Sequence, residues 1–332
     1  MKVGAQRFVF YIDQIEALLI KAGKQRNPAL FLYRQKMRNP LFMLEGLAKL
    51  YAGLHNAKRF TKMKEHCKLV EDALGAIDYY DQMAQQLATN KKVPAAALRY
   101  LQAQTREKIQ HLNTLLVEKK WLGEQATRIQ KFKAKLADAD WLNEEAELAA
   151  IKDFYGNAIY TIQEFLEQHA YHFDAMETDV HELRRKLRWL SIYPQALRGA
   201  IQLQAGKVER PLKKYQTNAI VHSPFNQMPE TNGIEYTLLL RKPQFLALSW
   251  MIDKLGSLKD SGLLIECLEE ALQATEPNLK DAALEKKLKS ILGKNQPGLD
   301  QLLDEAGAVM QQFTEDQVLP YLVHEVAALS AK

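Results

Sequence analysis

The feature that most constrains this chain is a helical spacing of apolar residues that runs almost from end to end. The alternating pattern of a half-buried strand is almost absent, and its best candidate is 234–240. Pro28, Pro94 and Pro243 stand at predicted helix starts, where proline is tolerated. We predict helices near residues 4–22, 28–56, 58–89, 93–120, 123–138, 142–170, 176–204, 242–273, 278–292, 298–312 and 315–329. The sequence therefore predicts an all-α fold of long antiparallel helices joined by short turns.

Residues 205–236 interrupt this pattern. They contain three prolines and two glycines and have no sustained period. We interpret them as a long loop insertion, either functional or mobile. A segment with few buried contacts should be the most mobile part of the chain and the first to be cut by a protease. Because it also carries several basic residues, both a loop that closes over an anion and a merely solvated insertion remain open.

The charge of the chain is unevenly distributed. Residues 1–138 carry 25 Lys and Arg against 12 Asp and Glu, whereas the remainder carries 20 against 28. Such asymmetry indicates either a polyanionic partner or electrostatic docking of the two halves on each other.

A basic helix is predicted over residues 177–198. At about 100° per residue, His181, Arg184, Arg185 and Arg188 lie within a single arc of this helix, and Glu182 is the only acid between them. An arginine-rich face is often simply solvated, with surface ion pairs. Here the other faces are apolar enough to be buried, so the cluster indicates an anion site, for which arginine has suitable donors.

The chain also contains a weak internal repeat. Leu74-Gly75 and Leu255-Gly256 each occur within an amphipathic helix, and a basic helix lies upstream of each pair. Glycine inside a helix costs about 1 kcal/mol relative to alanine, so its repetition at one place suggests close helix crossing. We infer two related helical bundles, over residues 1–138 and 139–332, that pack as one compact unit.

These residues resemble the pattern of the CHAD family, the conserved-histidine α-helical domain, over almost the whole chain. The second half matches through His181-Glu182-Leu183-Arg184, Arg188 and Leu255-Gly256-Ser257-Leu258-Lys259-Asp260, and the first half matches through Lys36-Met37-Arg38 and Leu74-Gly75. The first half departs from the pattern, since Gln35 replaces the histidine and Phe42 and Met43 replace later basic residues; Trp189 replaces one in the second.

The resemblance implies two pseudosymmetric helical bundles with a basic groove between them. It also implies binding of inorganic polyphosphate or a similar polyanion in the cytoplasm, at polyphosphate granules. The residues that would form the site are Arg34, Lys36, Arg38, His181, Arg184, Arg185 and Arg188.

The alternative is a helical scaffold that docks an acidic protein or nucleic acid. Nucleic-acid binding by stacking requires exposed aromatic residues among the basic ones, and Trp189 and Tyr193 are the candidates near the arginine face.

The remaining motifs favour a protein without catalysis or a cofactor. No Gly-rich phosphate loop, nucleophile elbow or His-Glu-x-x-His motif occurs. His169 and His172 have the spacing of metal ligands, but we predict no metal site. Cys67 and Cys267 are isolated, which indicates buried free thiols in a reducing compartment. No apolar run is long enough for a signal peptide or a membrane span, so we expect a cytoplasmic protein without a membrane partner.

Overall fold

The structure of the chain is a computed structural model that describes residues 2–124, 126–231, 233–293 and 297–328. Most of these residues are helical, which confirms the helical fold class. The α-helices in these ranges are α1 (Val3–Ala22), α2 (Pro28–Arg34), α3 (Arg38–Leu54), α4 (Ala57–Ala88), α5 (Ala95–Glu118), α6 (Arg128–Ala137), α7 (Glu144–Gln168), α8 (Glu182–Ala196), α9 (Asn218–Val221), α10 (Lys242–Thr275), α11 (Asp281–Leu292) and α12 (Leu299–Glu315).

Four predicted helices are wrong in part. The helix predicted over 123–138 begins only at Arg128. The helix predicted over 28–56 is two helices, because Lys36 adopts a left-handed conformation with φ +54° and Pro40 stands near the start of α3. The helix predicted over 176–204 opens with a π-helical turn, Met176–His181, and ends at Ala196. In place of the helix predicted over 315–329, residues 316–328 form a turn and a strand, and residue 329 lies outside the described residues.

A small sheet accounts for the strands that the helical prediction missed. Its strands are β1 (Ile201–Gln204), β2 (Tyr236–Arg241) and β3 (Val323–Ala328). β2 lies in the middle, parallel to β1 and antiparallel to β3. The strand candidate at 234–240 is thus confirmed as β2, whereas β1 and β3 lie within predicted helices.

The insertion at 205–236 is more ordered than its sequence suggests. It forms two short 3₁₀ helices, Arg210–Tyr215 and Pro224–Asn226, with α9 between them. Leu212, Tyr215 and Ile220 are buried, and Tyr215 donates a hydrogen bond to Asp316 at 2.5 Å. The expectation that this segment has few buried contacts is therefore wrong, and its mobility stays a prediction.

The hydrophobic core joins the two halves of the sequence. The main cluster includes buried residues from both sides of residue 138, such as Phe8, Leu47, Tyr155 and Leu187. A second cluster lies where the far ends of α4 and α10 meet α5 and α11. Both cysteines are buried and free, as predicted. The main core extends across residue 138. The division of the chain into two bundles at that residue stays a prediction.

Four helices position the candidate site. α3 packs against both α4 and α8, and α8 packs in turn against α10. α4 and α10 are the long helices of the fold, with 32 and 34 residues. The basic residues near the starts of α3 and α8 therefore lie between two long helices that carry the Leu-Gly pairs.

Candidate anion-binding site

Two arginines pack in the same way against the glycines of the repeat. Arg38 of α3 lies on Gly75 of α4, where a Cβ atom would be 2.9 Å from its Nη2. Arg184 of α8 lies on Gly256 of α10, where a Cβ atom would be 3.0 Å from its Nε. Each glycine therefore leaves space for a guanidinium group against a long helix. The repeat predicts a close crossing of helices at these glycines, whereas the atoms that lie against each glycine belong to an arginine side chain.

The two guanidinium groups have different partners. Arg38 donates from Nε to Glu71 at 2.6 Å and forms a second ion pair, of 3.2 Å, with Asp78. Arg184 donates from Nε to the carbonyl oxygen of Ile252 at 3.0 Å. Burial lowers the pKa of Arg184, although the charges of two aspartates on α10 oppose this effect. The charge of Arg38 is therefore neutralised by direct ion pairs, whereas Arg184 lies near two carboxylates without pairing with either.

Arg188 is the least compensated cation of the group. Its Cζ lies 4.5 Å from the centre of the Phe42 ring, and it forms no ion pair with any carboxylate in the described residues. Burial lowers the pKa of Arg188 to about 10, and the neighbouring charges of Arg184 and Arg38 act in the same direction, against the charge of Glu71. A half-buried guanidinium beside two others is in a position that an anion would stabilise.

Two cavities open beside these arginines. The first, which we call the mixed cavity, has a volume of about 600 Å³ and is lined on one side by the insertion through Ile220, Ser223 and Phe225. The second, which we call the basic cavity, has a volume of about 260 Å³. Both are lined by Arg38, Phe42, Glu71, Arg184 and Arg188. The three arginines therefore form part of a wall common to the two cavities.

The basic cavity has the stronger positive charge. Eight Lys and Arg side chains line it, against four carboxyl groups: Arg38, Lys49, Lys64, Lys68, Arg184, Arg185, Lys186 and Arg188 against Glu45, Glu71, Asp72 and Glu182. Burial and the charges of Arg185 and Lys186 lower the pKa of Lys49 to about 8, and two glutamates oppose this. The mixed cavity holds four Lys and Arg side chains and three carboxyl groups, so it is nearly balanced.

The structure brings six of the seven predicted site residues to these cavities. Arg38, Arg184 and Arg188 line both, His181 and Arg185 line the basic cavity, and Lys36 lines the mixed cavity. Arg34 is exposed at the end of α2 and lines neither cavity.

The inference that the arginine face lacks counter-ions is wrong for two of its four members. Arg185 pairs with Glu182 at 2.6 Å, and His181 pairs with Glu177 at 2.9 Å. The hydrogen bond from His181 lowers the pKa of Glu177, against its partial burial. Glu177 lies one turn upstream of His181, outside the stretch between His181 and Arg188 that holds a single acid. Among the described residues, Arg184 and Arg188 form no ion pair, and Arg184 donates to a carbonyl oxygen instead.

Sequence reasoning also missed several residues that line the basic cavity. Lys64 and Lys68 come from α4, and Lys49 and Glu45 come from α3. A signal was present, since Lys64, Lys68, Glu71 and Gly75 follow the three- and four-residue spacing of one helix face. The Leu-Gly pair therefore marked the face of α4 on which further site residues lie.

The aromatic residues proposed for base stacking are buried. Trp189 stacks on Phe42 with ring centres 4.7 Å apart, and Lys49 Nζ lies 4.9 Å from the centre of the Trp189 ring. Tyr193 is buried beside Trp189 and Tyr155. Neither ring is available to stack on a nucleic-acid base.

Comparison with protein-family models, curated proteins and solved structures finds no match to this chain. Within the described ranges, no three His, Cys, Asp or Glu side chains come together as metal ligands. No helix in the described part of the chain combines the length and apolar character needed to cross a membrane.

Gly256 gives a stability prediction. A Gly156→Ala substitution in α7, where a Cβ atom meets no atom of the described residues within 4 Å, should stabilise the fold by about 1 kcal/mol because alanine favours a helix. A Gly256→Ala substitution should lose this gain, since the new methyl group displaces the guanidinium of Arg184 from its carbonyl partner. Urea denaturation of both variants measures the difference. An equal gain at the two positions would contradict the contact between Arg184 and Gly256.

Proposed function

We propose that this chain binds inorganic polyphosphate, or a polyanion of similar charge density, in the basic cavity, and that it catalyses no reaction. The observation that carries the proposal is the half-buried guanidinium of Arg188, which forms no ion pair within the described residues and lies in a wall that also holds Arg38 and Arg184. Phosphoryl oxygens accept hydrogen bonds from guanidinium groups, and several linked phosphates would meet several of the surrounding cations at once.

We also propose that the chain is a relative of the CHAD family built from two pseudosymmetric helical bundles. The matching contacts of Arg38 with Gly75 and of Arg184 with Gly256 support this relation, because each joins the basic helix of one half to its Leu-Gly helix. Under this proposal, Arg188 and Phe42 occupy corresponding positions of the two halves. A polyphosphate-binding protein of this kind would act in the cytoplasm, at polyphosphate granules.

The salt dependence of binding tests the proposal. If the polyanion forms about four phosphate contacts, its affinity should fall by roughly a hundred-fold between 50 and 200 mM salt, because each contact releases condensed counterions. Titration of labelled long-chain polyphosphate at several salt concentrations measures the slope. Absence of binding at 50 mM salt, or an affinity that does not change with salt, would contradict the proposal.

Competition distinguishes polyphosphate from the alternative partners. Long-chain polyphosphate should displace single-stranded DNA far better than DNA displaces polyphosphate, because Trp189 and Tyr193 beside the basic cavity are buried and offer no stacking surface. Stronger competition by DNA, or by a polyglutamate peptide, would favour the helical scaffold that docks nucleic acid or an acidic protein.

A further inference from the structure

A buried carboxyl group lies in the wall of the basic cavity. Glu45 of α3 is 5% exposed, and its Oε2 atom is buried with no hydrogen-bond partner among the residues that the structure describes. A charged carboxylate in this environment lacks the donors that normally compensate its loss of water. The group is therefore poorly suited to remain ionised, although it lies among cations that line the same cavity.

The charged neighbours of Glu45 come from three helices. On α3 the neighbour is Lys49, one turn further along. On α4 the neighbours are Lys68, Glu71 and Asp72, with the buried thiol of Cys67. On α8 the cations that line the same cavity are Arg184, Arg185, Lys186 and Arg188, with Glu182, and the buried phenol of Tyr193 also lies near the carboxyl. Arg38 of α3, Lys64 of α4 and His181 of the π-helical turn line this cavity as well.

These surroundings favour the protonated form of the carboxyl group. Burial raises the pKa of Glu45 to about 7; Glu71 and Asp72 also raise it, whereas Lys68 and Lys49 oppose the increase. Lys68 is in turn paired with Asp72, with an Nζ to Oδ1 distance of 2.6 Å. The carboxyl group thus changes its charge near neutral pH.

We propose that Glu45 is a proton switch of the basic cavity, which takes up a proton when a polyanion binds and releases it when the polyanion leaves. The inference rests on the proposed function and concerns the regulation of the same site. A bound polyanion repels a carboxylate in the cavity wall, so binding favours the protonated form. By linkage, a lower pH then strengthens binding and a higher pH weakens it.

The test compares the pH dependence of polyphosphate affinity in wild type, Glu45→Gln and Glu118→Gln at fixed ionic strength. Between pH 6 and pH 8, wild-type affinity should fall by about five-fold more than that of Glu45→Gln. This difference corresponds to a pKa of Glu45 that is about one unit higher with polyphosphate bound than without it. Glu118 is exposed at the end of α5, so its variant should follow the wild type. Comparing slopes also removes contributions that all three proteins share, such as ionisation of the polyphosphate ends.

A second measurement does not use polyphosphate. Because the pKa of Glu45 is raised in the folded state, wild type should lose stability as the pH rises from about 4.5, the usual pKa of a glutamate, to about 7. Glu45→Gln should therefore be more stable than wild type at pH 8 and about as stable at pH 4.

The outcomes separate this inference from the proposed function. If wild type binds polyphosphate but Glu45→Gln has the same pH slope, the proton switch is wrong and the proposed function stands. If Glu45→Gln is less stable than wild type at pH 8, the ionised carboxylate is well accommodated and the inference also fails. If wild type binds no polyphosphate at any pH, the proposed function fails and the inference fails with it.

Discussion

A Glu147→Ala substitution should destabilise the fold by about 3–5 kcal/mol, the loss expected when one partner of a buried ion pair is removed. Glu147 of α7 is 2% exposed and pairs with Arg7 of α1, which is 3% exposed. Tyr51 of α3 completes the group with hydrogen bonds of 2.8 Å to each of them. Without the carboxylate, Arg7 keeps a buried charge whose remaining partner is a neutral phenol. Urea denaturation at pH 7 measures the change in the free energy of unfolding.

A neighbouring glutamate supplies the control for this prediction. Glu145 lies in the same first turn of α7 and is exposed, so Glu145→Ala should change the free energy of unfolding by at most about 1 kcal/mol through the helix dipole. The buried group connects α1 and α3 with α7, so a large loss would also show that the two halves of the sequence depend on each other. Similar small losses for both variants would mean that the buried pair contributes little.

The sequence predicts the parts of the fold whose signal is local, which are the long helices. α1, α4, α7 and α10 lie within two residues of their predicted ends, because a long segment holds many apolar residues at helical spacing and few residues that interrupt it. The strands β1 and β3 could not be predicted, since they are short and pair with a distant segment. The breaks at Lys36, Arg198 and Gln317 involve non-glycine residues in the left-handed region, which the sequence does not mark clearly.

The candidate site could be predicted in part for a similar reason. The spacing of Arg184 and Arg188 on α8 is local, and the structure places both in the same wall. The partners of these arginines are not local, since Ile252 belongs to α10 and Phe42 to α3. The repeated Leu-Gly pair predicted a close contact in each half, but the identity of the contacting group depends on helix packing.

A double substitution of Arg184 and Arg188 should remove most of the affinity for polyphosphate. A charge-assisted hydrogen bond to phosphate in a partly buried cavity contributes about 1–3 kcal/mol, so Arg184→Gln with Arg188→Gln should weaken binding by about a hundred-fold or more. The two effects need not add, because both groups act on one ligand. The free energy of unfolding should change less than the free energy of binding. Removing the two charges also removes the repulsion between them and the cost of burying the charge of Arg188. Isothermal titration calorimetry with long-chain polyphosphate measures the affinity.

The most direct test of polyphosphate binding in the basic cavity compares this double variant with a matched one. Arg99 and Arg106 are exposed on α5, so Arg99→Gln with Arg106→Gln removes the same net charge away from the cavity. Both variants and wild type would be titrated with polyphosphate at 100 mM salt, after circular dichroism shows that all three are folded. We predict a loss of about a hundred-fold for the cavity variant and of less than about three-fold for the surface variant. Equal losses in the two folded variants would place polyphosphate on the general basic surface and contradict binding in the cavity.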